Sequence, residues 1–164
     1  MEKYANKGLT GLGNLGNTCY LNSVTQIYSN VLELNDFLEN LSTVNKNIDS
    51  ILLTEYDEIR KIIWKKNVTI IPKKYVSLIF KVHKEKDNIN FSNYIQNDFM
   101  EFYELLNDAF HNSIKNIEDY NFNYVNDFID SKNNLQSLIK EKKYKNFINI
   151  IFKDDYSIIK DIFY

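Results

Sequence analysis

A single thiol closes a run of glycines in Gly11-Leu12-Gly13-Asn14-Leu15-Gly16-Asn17-Thr18-Cys19-Tyr20-Leu21-Asn22-Ser23. All four glycines of the 164-residue chain (Gly8, Gly11, Gly13, Gly16) and its only cysteine fall within twelve consecutive residues. Two chemistries fit such a stretch. Gly11 to Gly16 reads G-x-G-x-x-G, the dinucleotide-binding pattern. That pattern has physical meaning only after a buried strand, in a strand-helix-strand unit that ends on an acidic residue. Residues 3–10 make a poor buried strand and helical patterns follow one another, so this reading is rejected. The other chemistry is nucleophilic. With Asn17 or Thr18 as N-cap, Cys19 lies in the first turn of a helix, where unpaired N–H groups and the positive end of the helix dipole favour a thiolate. The same N–H groups can hold the oxyanion formed when that thiolate attacks a carbonyl. Asn14, on the loop, can fold back and donate a side-chain N–H to the same oxygen. Position alone does not separate this nucleophile from a small buried apolar sulfur, the commoner state of a free cysteine.

The elements that must carry this loop are mostly helices. Apolar residues at Tyr20/Leu21, Val24, Ile27/Tyr28, Val31 and Leu32 trace one face of a first helix. Ile51/Leu52, Tyr56, Ile59 and Ile62/Ile63 predict a second helix over roughly 48–65. Asn67 to Ile71 is β-branched and extended in character. Pro72 suits the first turn of a further helix carrying Val76, Ile79, Phe80 and His83. The strongest period runs from Ser92 to about Ile114 through Ile95, Phe99, Phe102, Leu105/Leu106, Ala109/Phe110 and Ile114. Residues 121–134 read as loop, and 147–164 as helix, strand or both. The fold class is therefore mainly α, with room for short strands near 67–71 and 147–164. The apolar end at Ile158 to Tyr164 suggests a piece of a longer polypeptide, or a firmly docked terminus.

Composition removes several classes of function. The net charge is −2 and the lysine pairs are balanced by nearby acids, so no basic field invites nucleic acid. One cysteine forms neither an internal disulfide nor a cysteine-rich zinc site, so no metal and no cofactor are expected. No stretch is long enough to cross a bilayer, and the N-terminus lacks a signal-peptide core. These features point to an intracellular protein of cytoplasm or nucleus, without a membrane partner.

The stretch from Gly11 to Ser23, continuing to Gln26, resembles the cysteine box of the ubiquitin-specific proteases, G-L-x-N-L-G-N-T-C-Y-[ML]-N-S followed shortly by glutamine. Gln96-Asn97-Asp98-Phe99-Met100-Glu101-Phe102-Tyr103-Glu104-Leu105-Leu106-Asn107 resembles a second box of that family, Q-Q-D-A-x-E-F-x-x-x-L-L-D. Asn97, Phe99 and Asn107 depart from it, and the ring of Phe99 is expected to alter how this helix packs near the cleft. A softer echo, Asp154 to Tyr164, is similar to the segment that precedes the family's fingers and palm. The resemblance implies a papain-like cysteine peptidase with Cys19 as nucleophile and Asn14 in the oxyanion hole. It also implies that Gln96 supports the cleft and that Asp98 contacts the basic tail of ubiquitin. The implied partner is ubiquitin or a ubiquitinated protein.

The resemblance covers one single unit, 1–164, the helical thumb half of the catalytic domain, and the fingers and palm are expected to lie elsewhere. A cysteine hydrolase also needs a general base. His83 and His111 lack the family's G-H-Y context and read as structural histidines, at the surface or partly buried, so no general base is identified. The expectation is a thiol-dependent deubiquitinating peptidase that is incomplete and inactive as this chain, with a palm and fingers half as a further partner. The alternative is a non-catalytic ubiquitin-tail-binding module or a decayed pseudoenzyme.

Overall fold

The computed structural model describes residues 7–115 and 157–163, and these are mainly helical. In chain order they form β1 (Gly11–Leu12), α1 (Cys19–Ser29), α2 (Leu32–Asn40), α3 (Asp49–Lys65), β2 (Thr69–Ile70), α4 (Lys73–Glu85), a 3-10 turn (Ile89–Phe91), α5 (Phe99–Ile114) and α6 (Ile158–Phe163). The extended character of 67–71 is realised as β2. Its partner is the glycine stretch itself: β1 and β2 run parallel, with Gly11 opposite Thr69 and Leu12 opposite Ile70. A parallel pair requires a crossover, here supplied by α1, α2 and α3. Of 147–164, the segment 158–163 is helix rather than strand, and 147–156 lie outside the described residues, as do 121–134.

The first helix is shorter than its apolar period suggests. It stops at Ser29 because the Ser29 carbonyl is claimed by two side chains, Asn35 Nδ2 and Trp64 Nε1, each at 2.8 Å. Val31 is extended (ψ 102°), and Leu32 starts α2 instead of continuing α1. The expected start of α5 near Ser92 is corrected in the same way. Asp98 is the N-cap, with ψ 136°, and its Oδ1 accepts from the N–H groups of Met100 (2.7 Å) and Glu101 (3.1 Å). An aspartate cap followed by Glu101 in the first turn satisfies two orphan donors and complements the helix dipole. Residues 92–98 are therefore loop. Pro72 sits at the cap position of α4 rather than within its first turn.

Helix α5 is the hub, packed on α3, α1 and α6. It buries Phe102, Leu106, Phe110 and Ile114 at i, i+4 spacing. Tyr28 of α1 meets Phe110 edge-on (centroids 5.4 Å apart) and Tyr56 of α3 (6.1 Å), and lies tilted against Phe163 of α6 (4.6 Å). Its hydroxyl donates to Oδ1 of Asn107, which is buried. Each such ring contact adds about 0.5–1.5 kcal/mol beyond area burial, so this cluster ties four helices together. Phe99 is half-buried and stacks on Tyr103, with ring planes 11° apart. No helix among the described residues is long and apolar enough to cross a membrane.

Candidate active site

The glycine stretch is held from both sides. On one, Gly11 N–H donates to Val68 O (2.9 Å) and Gly13 N–H to Ile70 O (2.8 Å). On the other, Asn22 Nδ2 of α1 donates to Leu12 O (3.3 Å) and Gly13 O (3.2 Å), and Gln26 Nε2 to Thr10 O (2.9 Å). Asn22 and Gln26 are four apart and so share one face of α1. Thr10, itself buried, donates through Oγ1 to Lys66 O. The stretch entering the cysteine is thereby fixed to its own helix and to the sheet.

The turn beyond it is organised by Asn14. Its Oδ1 accepts from Gly16 N–H (3.0 Å), Thr18 N–H (3.2 Å) and Thr18 Oγ1 (2.9 Å). Only an oxygen can meet two backbone N–H groups, so this network sets the orientation of the amide. No hydrogen bond among the described residues uses Nδ2, which stays available as a donor. Thr18 Oγ1 also accepts from Leu15 N–H at 2.9 Å. The threonine hydroxyl is therefore committed to the loop, and α1 has no side-chain cap. Thr18 holds the cap position without performing the capping bond. The helix starts at Cys19, whose side chain is exposed. The first-turn N–H groups that an ordinary cap would occupy remain open to an anion.

Gly16 (φ +94°) and Asn17 (φ +50°) make the left-handed step that turns the chain into α1. A Cβ at Gly16 would meet nothing within 4 Å, so the only penalty for a side chain there is conformational. Gly16→Ala is expected to cost about 1–2 kcal/mol, a drop in Tm of roughly 2–4 °C per kcal/mol. An unchanged melt would show that the turn relaxes to another conformation.

The second box lies against this turn. Asn17 Nδ2 donates to Tyr94 O at 3.1 Å. Asn97 Nδ2 reaches the Tyr20 hydroxyl (3.1 Å), Asn90 O (2.7 Å) and Ile95 O (3.3 Å). The Tyr20 ring is buried edge-on to Phe91 and Phe102. Burial raises its pKa above the usual phenol value; the bond from Asn97 opposes this, and the neighbouring Cys19 adds to it. Gln96 and Asp98 are both exposed on the bordering loop. Gln96 makes no side-chain hydrogen bond among the described residues, and Asp98 uses Oδ1 to cap α5. The structure thus brings Asn14, Cys19 and the 94–98 segment together. Asn97, Asn22 and Gln26, for which the sequence suggested no role, do much of the holding. Their signal was a side-chain amide, but the acceptors that give them a role are supplied by the fold: carbonyls of the glycine stretch for Asn22 and Gln26, and the Tyr20 hydroxyl for Asn97.

Both histidines are buried, not partly exposed. His83 lies in the last turn of α4 against Phe91 (5.6 Å), and its Nδ1 has no partner. Burial chiefly, and Lys86 next, lower its pKa to about 4 against a smaller opposing pull from Asp49, so it is neutral at pH 7. His111 Nδ1 lies 2.7 Å from Ser157 Oγ. No hydrogen bond or ion pair among the described residues joins Cys19 to either ring. Among the same residues no three His, Cys, Asp or Glu side chains are grouped to hold a metal.

The family model described as ubiquitin carboxyl-terminal hydrolase matches residues 10–163. The chain is 34% identical to human ubiquitin carboxyl-terminal hydrolase 2 over 123 residues, 71% of this chain and 20% of that protein. It is 31% identical to rat ubiquitin carboxyl-terminal hydrolase 19 over 125 residues, covering 71% and 9%. With bovine ubiquitin carboxyl-terminal hydrolase 4 the values are 33% over 119 residues, 68% and 12%. The chain spans a fifth or less of the length of these curated relatives. On a family match that runs through nearly all of its residues, the chain belongs to the ubiquitin carboxyl-terminal hydrolase family.

Proposed function

We propose that this chain is the thumb half of a thiol-dependent deubiquitinase, with Cys19 as nucleophile. The Cys19 thiolate attacks the carbonyl of the C-terminal glycine of ubiquitin, and the carbonyl oxygen takes the negative charge. Asn14 Nδ2 and the first-turn N–H groups of α1 hold that oxygen. The C–N bond then breaks, the amine leaves with a proton, and water releases ubiquitin from the thioester. Gln96 and Asp98 flank the path of the ubiquitin tail, with the carboxylate of Asp98 suited to its basic side chains. The observation that carries this reading is the Asn14 amide, locked through its oxygen to Thr18, the residue before the nucleophile. A palm and fingers half supplies the general base, and the complete enzyme works inside the cell, in cytoplasm or nucleus.

A second reading, a module that binds the ubiquitin tail without cleaving it, is favoured by the lack of any bond between Cys19 and a histidine among the described residues. One pair of measurements separates the two readings from each other and from error. Ubiquitin bearing a C-terminal electrophile is expected to label the 164-residue chain at Cys19, located by peptide mass spectrometry. Ubiquitin carrying a fluorogenic C-terminal amide is expected to be turned over at background rate. Rapid turnover would show a complete enzyme, and a folded chain that takes no label would count against both readings.

A further inference from the structure

We propose that Asn97 is a positioning residue that holds the start of α1, and with it Cys19, in register with the 94–98 segment. The inference rests on the deubiquitinase reading for its consequence, but on geometry alone for the brace itself. Two side-chain amides cross between the segments in opposite directions. Asn17, from the cysteine loop, donates to Tyr94 O, and Asn97, from the second segment, donates to the Tyr20 hydroxyl. Their anchor points on the first segment, Asn17 and Tyr20, stand on either side of Cys19. Asn97 cannot swing freely, because the same nitrogen donates to Asn90 O at 2.7 Å and approaches Ile95 O at 3.3 Å. Tyr20 cannot swing either, since its ring is clasped between Phe91 and Phe102. The bond therefore joins two already immobilised groups, the condition under which one hydrogen bond transmits position. Nothing in the brace touches the thiol, so it acts on alignment and not on the reacting atoms.

The test uses the 164-residue chain with Asn97→Ala, Asn97→Gln and Tyr20→Phe, the last keeping the clasped ring and removing only the acceptor. Asn97→Ala and Tyr20→Phe are each expected to slow labelling of Cys19 by a ubiquitin C-terminal electrophile about tenfold. The double variant is expected to be no slower than either, and Asn97→Gln to recover part of the rate. Iodoacetamide, which needs no alignment with residues 94–98, is expected to alkylate the exposed thiol at the unaltered rate in every variant. A purely structural role would lower the melting temperature without separating the two reagents. Amide exchange supplies a readout free of ubiquitin: peptides covering 19–24 exchange faster in Asn97→Ala. Equal ubiquitin labelling of Asn97→Ala and the unaltered chain, or fully additive losses, overturns the proposal. If the unaltered chain takes no ubiquitin label, the deubiquitinase reading fails and exchange decides the brace. Faster exchange then sustains it, and unchanged exchange overturns it.

Discussion

Asn14→Asp is expected to weaken capture of a ubiquitin C-terminal aldehyde by Cys19 by roughly 10²–10³-fold, the loss that follows removal of one oxyanion-hole donor. The aldehyde is informative because its adduct with a thiol is tetrahedral and places an oxygen where the reaction's oxyanion forms, without needing a general base to expel an amine. Aspartate retains the oxygen that accepts from Gly16 N–H, Thr18 N–H and Thr18 Oγ1. The turn and the melting temperature are therefore preserved. What changes is the other end of the group: a donor becomes a carboxylate oxygen that repels the developing charge. Asn14→Ala differs, because it also strands three donors and should lower Tm. An aldehyde affinity within a few-fold of the unaltered chain in Asn14→Asp, with an unchanged melt, would remove Asn14 from the oxyanion hole and leave the first-turn N–H groups alone in that role.

Stability is expected to fall by up to about 3 kcal/mol between pH 6.5 and pH 4 through His83 alone, each unit of pKa shift being worth about 1.4 kcal/mol. In the folded chain its pKa is lowered from 6.5 to about 4, first by burial and then by Lys86. Below pH 6.5 the unfolded chain takes up a proton that the folded chain refuses, so the unfolded state gains. The loss grows as the pH falls and levels off below about 4, where both states are protonated. The groups around His83 bear charge as well: Asp49 accepts from Lys86 and from Asn112 Nδ2 (3.2 Å). The measurement is therefore a difference. Urea melts of the unaltered chain and of His83→Leu, which cannot protonate, are compared at pH 7 and pH 4. The variant should lose less stability than the parent by roughly that amount, whatever its absolute stability. Parallel losses in the two proteins would mean that His83 protonates in the folded state without penalty, through water reaching its unpartnered Nδ1.

The parts of the fold that were legible in the sequence are those decided by local chemistry. The period from Ile51 to Ile63 is uninterrupted, and α3 runs Asp49–Lys65, within a residue of expectation. The cysteine turn was legible because glycine, asparagine and threonine each have a narrow local use there. The errors have two physical origins, distant partners at the end of α1 and at β1, and a competing local cap at the start of α5. The end of α1 is decided by Trp64 and Asn35, which take the Ser29 carbonyl from outside the helix. The start of α5 is decided by the Asp98 cap, although Ile95 happens to fall in phase with the helix face. Strand β1 was read as loop because its two residues carry no strand signal of their own, and only pairing with Thr69–Ile70 defines them. The same holds at the candidate site. Asn97, Asn22 and Gln26 are polar residues in polar surroundings until the fold supplies the distant carbonyls and the hydroxyl that they meet.

Some of the bonds that fix the glycine stretch and its neighbour join residues far apart along the chain: Thr10 and Lys66 are 56 positions apart, and Asn17 and Tyr94 are 77. This spacing has a consequence on the ribosome, where the N-terminal part of a chain emerges first and folds as its partners arrive. A nascent chain that has exposed Cys19 and α1 carries the thiol and can close the local Asn14 turn. It still lacks β2 and the Tyr94 carbonyl, and closing such long loops precedes any reward from the contacts. The nucleophile therefore appears well before the scaffold that aims it, and a chain still in synthesis presents a thiol without a substrate groove.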